Sequence, residues 1–217
     1  MDQAIADTSF LLSRFFSYPD EAFSAAVCSG EAAGQIVSAL AELPGWANLP
    51  QERRLRVEEA AEALGRRYAG TPAEDAFHDM RVEYTMLLAG MPKPIVQPYE
   101  SVFRGQAEGK RVLLMVDDVA EQVRASYKRS GVVALNPSEP VDHVSTELEF
   151  LGLLASRGDV DDFQAFFEAH CKSWMPAFAE ELWNASSEGC HLRLAAASLA
   201  SFAKCMTRHP DTGNACS

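Results

Sequence analysis

The segment SFLLSRFFSYPDEAFSAAV, residues 9–27, decides the fold class of this chain. Its large apolar side chains recur at three- and four-residue spacing, the period of one α-helical face, and Pro19 predicts the first turn of a second, short helix. The same period returns in later segments, with no convincing alternating β-branched run between them. We therefore predict a single all-α bundle of about nine or ten helices. The predicted stripe of the first helix comprises Phe10, Leu11, Phe15 and Tyr18.

The length of 217 residues suits one large domain or two small ones. We predict one helical domain over residues 1–209, followed by a flexible C-terminal tail at 210–217. The sequence has no uninterrupted apolar run of about 18 residues, which predicts that it lacks a transmembrane helix. It also has no basic residue before Arg14, unlike a secretory signal. We therefore expect a cytoplasmic protein without stable membrane insertion.

The chain is acidic, with 19 Lys and Arg residues against 31 Asp and Glu residues and a net charge of -12. This charge disfavours nucleic acids and anionic membranes as partners and favours cationic ones, although solubility alone explains it equally well. The five cysteines are scattered without a CxxC pair, which predicts reduced thiols. We expect no nucleic-acid partner.

Sequence motifs for common active sites are missing, including GxxxxGK(S/T), GxGxxG, HExxH and GxSxG. A di-iron carboxylate bundle needs two Glu-x-x-His pairs, and the chain has one, Glu188 with His191. His170–Cys171 and Cys190–His191 resemble zinc ligands, but adjacent residues on a helix point about 100 degrees apart. Each pair would then supply at most one ligand, so we predict no metal and no cofactor.

The segment PVDHVSTELEF, residues 140–150, places Asp142 and His143 at a predicted helix start. An aspartate there is typical of an N-cap, which accepts backbone N–H groups. The alternative is an acid–base pair of a helical enzyme, but neither a nucleophile nor an oxyanion donor lies near it in the sequence. We predict no catalytic role.

The segment MPKPIVQPYESVFRG, residues 91–105 and here called the strap, joins two predicted helices. Its three prolines fix their own φ angles and bias the residues before them towards extended backbone. Its apolar side chains argue against disorder. Two interpretations remain open: a rigid groove wall that offers Tyr99, Glu100 and Ser101 for contacts, or a stiff connector with Tyr99 and Phe103 in the core.

Three segments together resemble the TorD/DmsD/NarJ family of redox-enzyme maturation chaperones. They are EYTMLLAGMPKPIVQPYESVFRG at 83–105, PVDHVSTELEFLGLL at 140–154 and HCKSWMPAFAEEL at 170–182. The last is similar to a family segment with His, Trp, Pro and Phe at fixed spacing, and the whole resemblance covers about residues 5–207. Leu88 stands where the family often has Phe, and Met91 replaces a small residue.

The resemblance implies an all-helical cytoplasmic chaperone. Such a protein binds the twin-arginine signal peptide, or the apo form, of a molybdopterin-containing oxidoreductase during cofactor insertion. Asp142 and Glu147 would engage the arginines, because carboxylates pair with guanidinium groups in a bidentate way. The peptide-binding positions carried over by motif are Tyr99, Glu100, Ser101, Asp142, His143 and Glu147.

The same resemblance implies the Tat export machinery as a further partner. The chain would be a monomer, or a dimer that swaps domains through the second proline-rich connector, residues 130–141. A binding module for another cationic peptide remains the alternative among non-enzymes.

Overall fold

The structure is a computed structural model that describes residues 3–90, 93–109, 117–132 and 140–207. Helices form most of these ranges. Eleven α-helices lie in these ranges, which confirms the predicted all-α class with slightly more helices than expected. They are α1 Gln3–Phe16, α2 Glu21–Cys28, α3 Glu31–Ala41, α4 Gln51–Tyr68, α5 Ala73–Tyr84, α6 Glu100–Ala107, α7 Asp118–Arg129, α8 Val144–Arg157, α9 Val160–Phe166, α10 Met175–Ala185 and α11 His191–Thr207.

Two helices continue into π-helical turns, Thr85–Ala89 after α5 and Phe167–Cys171 after α9. Turns of this kind are rare and concentrate at functional sites. Among the described residues, β pairing is confined to one isolated antiparallel bridge between Tyr99 and His143. In the same ranges, no helix has both the length and the apolar character needed to cross a bilayer. The predicted tail at 210–217 lies outside the described residues.

The helix α11 forms the centre of the core. Fourteen of its 17 residues are buried, and it packs against α1, α3, α4 and α10. Most of these residues are alanine, serine or leucine, and the small side chains allow neighbouring helices to approach closely. The helices α1 and α8 also lie in close contact, because a Cβ atom on Gly152 would come within 2.8 Å of the Phe10 ring.

The buried face of α1 differs from the predicted stripe. Phe15 is buried as expected, but Phe10 is 38% exposed and Tyr18 is 45% exposed. The core side of α1 instead carries Leu12 and Phe16 beside small polar residues. The predicted start of the second helix is also corrected. Asp20 is the N-cap of α2 and accepts the Phe23 N–H at 2.8 Å, so that Pro19 precedes the cap.

Candidate functional site

The described part of the strap is irregular from Lys93 to Pro98 and helical from Glu100 onward. Its backbone pairs with the π-helical turn before it, because the Val96 N–H donates to the Leu87 carbonyl at 2.9 Å. Val96 is buried, whereas Ile95 next to it is 65% exposed. Tyr99 has extended backbone and is the N-cap of α6, which begins at Glu100, so the second half of the strap is helical and not extended as expected. Met91 and Pro92 lie outside the described residues.

The middle of the strap, from Pro98 to Glu100, lies against the start of α8. The Glu100 N–H donates to the Asp142 carbonyl, and the Val144 N–H donates to the Pro98 carbonyl, both at 2.9 Å. The rings of Tyr99 and His143 pack edge to face with centroids 5.2 Å apart. Two segments about forty residues apart in sequence therefore form one feature, the Tyr99–His143 edge.

Asp142 caps a helix other than its own. Its Oδ2 atom accepts the Ser101 N–H at 3.0 Å, in the first turn of α6. The N-cap of α8 is His143, whose Nδ1 atom accepts the Ser145 N–H at 3.2 Å. The predicted role of Asp142 as the cap of its own helix is therefore wrong, since the bridge to the strap brings its carboxylate to α6.

We expect Asp142→Ala to lower the free energy of unfolding by about 1–2 kcal/mol, because the buried Ser101 N–H loses its acceptor. Asp142→Asn keeps an acceptor oxygen at the cap and should be at least as stable as the unsubstituted chain. Urea denaturation followed by circular dichroism measures both variants. Equal stability of the alanine and asparagine variants would contradict the capping role.

Two further carboxyl groups are buried behind the edge. Glu100 bonds through one oxygen to Arg104 Nη1 at 2.6 Å and through the other to His170 Nδ1 at 3.0 Å. Glu147 accepts the Trp174 indole N–H at 3.2 Å. His170 lies in the π-helical turn after α9. The three resembling segments therefore contribute to one buried polar cluster.

The carboxyl group of Glu147 has an unusual protonation state. Burial raises its pKa well above the usual value, and the nearby charges of Glu100 and Asp142 raise it further. A hydrogen bond with Glu100 acts in the same direction, while the Trp174 N–H opposes the shift. Burial also lowers the pKa of His143 to about 4, so its imidazole is neutral near pH 7.

Glu147→Gln should change how stability depends on pH. Because the folded-state pKa of Glu147 lies above its unfolded value, the folded chain retains a proton that the unfolded chain releases. This stabilisation is complete below the unfolded pKa of about 4.3 and is lost as pH rises through the folded pKa. Glutamine has no such proton to lose, so the variant should gain stability relative to the unsubstituted chain as pH rises from 5 to 8, by ~1 kcal/mol or more.

Chemical denaturation at a series of pH values measures this difference. Glu149→Gln is the matched control, because Glu149 is an exposed carboxylate on the same helix. Parallel pH profiles for the unsubstituted chain and Glu147→Gln would contradict the assigned protonation.

The predicted site residues divide into a buried group and a partly exposed group. The side chains of Glu100, Ser101, Asp142 and Glu147 are at most 1% exposed. Tyr99 and His143 are only partly buried and form the accessible part of the edge. An arginine could reach Asp142 or Glu147 only if this edge opened. The acid–base alternative gains no support, because Asp142 and His143 bond to Ser101 and Ser145.

A groove that sequence reasoning missed lies beside this edge. It has a volume of about 520 Å³ and is lined in part by Tyr18, Phe77, Val82 and Met86, with Glu74 at its side. Tyr18, Val82 and Met86 are exposed at 43–56%. The helical period had assigned Tyr18 to the core, and no sequence signal separates such exposed apolar residues from core ones.

The groove and the edge are connected through Tyr84 and the strap. The ring of Tyr84 packs against Tyr18 with centroids 5.2 Å apart. Burial raises the pKa of Tyr84, and the charge of the Tyr99 phenol raises it further. Ile95 is joined to Met86 through its backbone N–H at 3.4 Å. Exposed apolar side chains therefore continue from the groove onto the strap at Ile95, four residues before Tyr99.

Comparison with known proteins connects this site to a family. The family model described as nitrate reductase delta subunit matches residues 47–180, which include the strap, the start of α8 and His170. A TorD chaperone from Photobacterium profundum is 25% identical over 119 residues, covering 49% of this chain and 53% of that protein. One from Vibrio cholerae is 28% identical over 142 residues, covering 60% of each.

The chain thus spans about half to three fifths of the length of the curated relatives that it matches. Among solved structures, it is similar to a candidate redox enzyme maturation protein from Archaeoglobus fulgidus. That similarity has a TM-score of 0.47 and 23% identity over 93% of this chain and 90% of the other.

Proposed function

The chain belongs to the nitrate reductase delta subunit family, as its resemblance to the TorD/DmsD/NarJ chaperones predicted, and on that premise we propose that it is a redox-enzyme maturation chaperone. Its client is the apo form of a molybdopterin-containing oxidoreductase, and it recognises the client's twin-arginine signal peptide before export. It acts by binding and has no catalytic role. It works in the cytoplasm, where the client folds and receives its cofactor.

The juxtaposition of the Tyr99–His143 edge with the apolar groove is the observation that carries this proposal. A signal peptide combines two arginines with an apolar segment, so its binding site must offer both polar and apolar surface. The groove provides exposed apolar side chains on α5 and its π-helical turn. The edge provides Tyr99 and His143, and an aromatic side chain in such a position is typical of a binding hot spot.

The groove carries charges of both signs, because Arg81 lines it and stacks on the Tyr18 ring, while acidic side chains stand at its rim. Glu74 lines the groove, and Glu21 lies in a second depression that also contacts Tyr18. Both carboxylates are exposed, and the net charge of the chain is -12. Exposed carboxylates steer cationic peptides and pair with guanidinium groups. We therefore assign the first contact with the arginines to these rim residues.

The buried members of the predicted site position the edge. Asp142 and Ser101 join α6 to the start of α8, and Glu100 and Glu147 connect this junction to His170 and Trp174. In this proposal, Tyr99 and His143 contact the peptide directly. Asp142 and Glu147 meet arginines only in a state in which the edge has opened.

Co-purification with the client tests the proposal. The chain is expressed with a molybdoenzyme encoded beside it, in a host unable to make the molybdenum cofactor and in one that makes it. We expect a stable complex with the apo-enzyme and much less complex with the cofactor-loaded enzyme. Equal recovery from both hosts, or no complex in either, would contradict the proposed function.

Two further proteins show whether the chain binds the leader or the mature enzyme. One client lacks its twin-arginine leader, and the other protein is the leader fused to an unrelated domain. Capture of the leader fusion supports recognition of the signal peptide. Capture of only the leaderless enzyme would retain a chaperone role and remove the leader from it.

A further inference from the structure

Three side chains with metal-binding atoms converge away from the proposed peptide surface. They are Glu83 in the last turn of α5, Cys190 just before α11 and His191 at its first residue. One ligand atom from each lies within 4.8 Å of the other two. Cys190 and His191 are buried, and the Glu83 side chain is 14% exposed, so the group has an outer edge open to solvent.

The backbone before α11 explains how neighbouring residues point to one place. Cys190 is not helical, since it follows a tight turn in which its N–H donates to the Ser187 carbonyl at 3.2 Å. Gly189 in this turn has a φ angle of +77°, and a Cβ atom there would lie 3.0 Å from the Arg67 side chain. The sequence-based argument against a metal assumed that Cys190 and His191 share a helix, and that assumption does not hold.

Unpaired polar atoms are concentrated at this site. Both imidazole nitrogens of His191, the Oε2 atom of Glu83 and the hydroxyl of Tyr68 are buried without a hydrogen-bond partner. Tyr68 lies close enough for the charges of Glu83 and Cys190 to act on its pKa. Buried polar atoms are normally paired, so four unpaired atoms in one place indicate a missing partner.

We propose that Glu83, Cys190 and His191 bind a zinc ion through three protein ligands and leave its fourth position open. Zinc combines thiolate, imidazole and carboxylate ligands at bond lengths of about 2.0–2.3 Å, usually in tetrahedral geometry. The three ligand atoms need only small side-chain movements to reach that geometry, and water completes it. Binding replaces the proton of the Cys190 thiol with zinc, and the proton leaves to solvent.

The surrounding groups are consistent with a bound cation. Glu83 and the Cys190 thiolate would supply two negative charges against the zinc ion and the neighbouring Arg67 guanidinium, and His191 would supply a neutral nitrogen. Arg67 donates from Nη1 to Oε1 of Glu83 at 2.6 Å and leaves Oε2 for the metal. Partners of this kind typically orient carboxylate ligands.

The proposed ion would join two parts of the fold that bear on the peptide surface. Glu83 immediately precedes Tyr84, which packs against Tyr18 at the groove. Cys190 and His191 begin the central helix α11. A metal at this position would hold the end of α5, and with it the π-helical turn that anchors the strap, against the core.

Zinc titration of the metal-free, untagged full chain against a chromophoric chelator tests the proposal. We expect one zinc ion per folded chain and at least tenfold weaker binding in Cys190→Ser. Glu83→Gln tests the partly exposed ligand with less risk to folding. Cys205→Ser is the matched control, because it removes another fully buried thiol, from the helix α11 that follows Cys190. Cys216→Ser controls for the thiol in the C-terminal tail.

Cobalt substitution provides an independent readout in the unsubstituted chain. A thiolate-to-cobalt charge-transfer band should appear on binding and should be retained in Cys205→Ser and Cys216→Ser. Circular dichroism identifies the variants that remain folded. The proposal is overturned if the folded, unsubstituted chain binds no zinc at one ion per chain. It is also overturned if Glu83→Gln and Cys190→Ser both bind zinc as tightly as Cys205→Ser.

Discussion

Replacement of Trp174 by alanine is expected to lower the free energy of unfolding by about 3–5 kcal/mol. The indole is 1% exposed and packs against Phe103 and Phe178, with ring centroids 5.8 and 5.3 Å away. Truncation leaves a large cavity under α6. It also leaves Glu147 without the indole N–H that bonds to it at 3.2 Å. The loss of packing and the loss of the hydrogen bond therefore both lower the free energy of unfolding.

Two control variants separate these losses. Trp174→Phe retains most of the apolar volume and removes the N–H, so we expect a smaller loss of about 1–2 kcal/mol. Trp183→Ala removes a partly buried indole that packs against the guanidinium groups of Arg56 and Arg193 at the surface. Urea denaturation followed by circular dichroism measures all three. A loss for Trp174→Ala no greater than that for Trp183→Ala would contradict its place in the core.

Tyr99→Ala should weaken binding of a twin-arginine leader about thirtyfold, which corresponds to ~2 kcal/mol for an aromatic hot spot. Tyr99 is the part of the strap that packs on His143 and adjoins the groove through Tyr84. Its ring offers both an apolar face and a hydroxyl to a peptide. The bridge to α8 uses backbone groups, so the edge itself should persist in the variant.

Calorimetric titration gives the affinity of each variant. The matched control is Leu55→Ala, which removes an exposed apolar side chain from a different helix, α4. We expect its affinity to match that of the unsubstituted chain. If Tyr99→Ala is folded and binds as tightly as Leu55→Ala, the peptide does not contact the Tyr99–His143 edge.

The sequence predicted the helices, but it did not always predict which face of a helix is buried. Phe10 in α1 and Tyr18, which follows the end of that helix, fit the helical period and yet are exposed. The core face includes Thr8 and Ser9 instead. Ser9 can be buried because its hydroxyl donates to the Ile5 carbonyl at 2.7 Å within the helix. Hydrophobic periodicity cannot detect a polar side chain that is satisfied in this way.

The composition of the candidate site followed from the resemblance, whereas its internal arrangement did not. Sequence spacing cannot show that Asp142 caps α6, because that bond depends on pairing between segments about forty residues apart. Trp174 was recognised from the sequence only as a family residue, and His170 as a family residue and as half of a rejected zinc pair. The structure shows that they bond to Glu100 and Glu147, so all three resembling segments meet in one cluster.

The burial of that cluster also lay beyond sequence reasoning. The resemblance implied that Glu100, Asp142 and Glu147 bind a peptide, which requires that their side chains be accessible, as charged side chains usually are. They are instead fully buried, with His170, Arg104 and Trp174 as polar partners of the two glutamates. Their burial leaves direct contact with a ligand to the two aromatic rings of the edge and to the groove.

The central claim is that this chain recognises a twin-arginine signal peptide, and calorimetric titration with paired leaders tests it most directly. One peptide carries the natural Arg-Arg pair of a molybdoenzyme encoded beside this chain, and the other carries Lys-Lys at the same positions. We predict micromolar or tighter binding of the first, about -8 kcal/mol or more favourable. The second should bind at least tenfold more weakly, because lysine cannot form bidentate pairs with carboxylates. No binding of the Arg-Arg leader, or equal binding of both peptides, would contradict the claim.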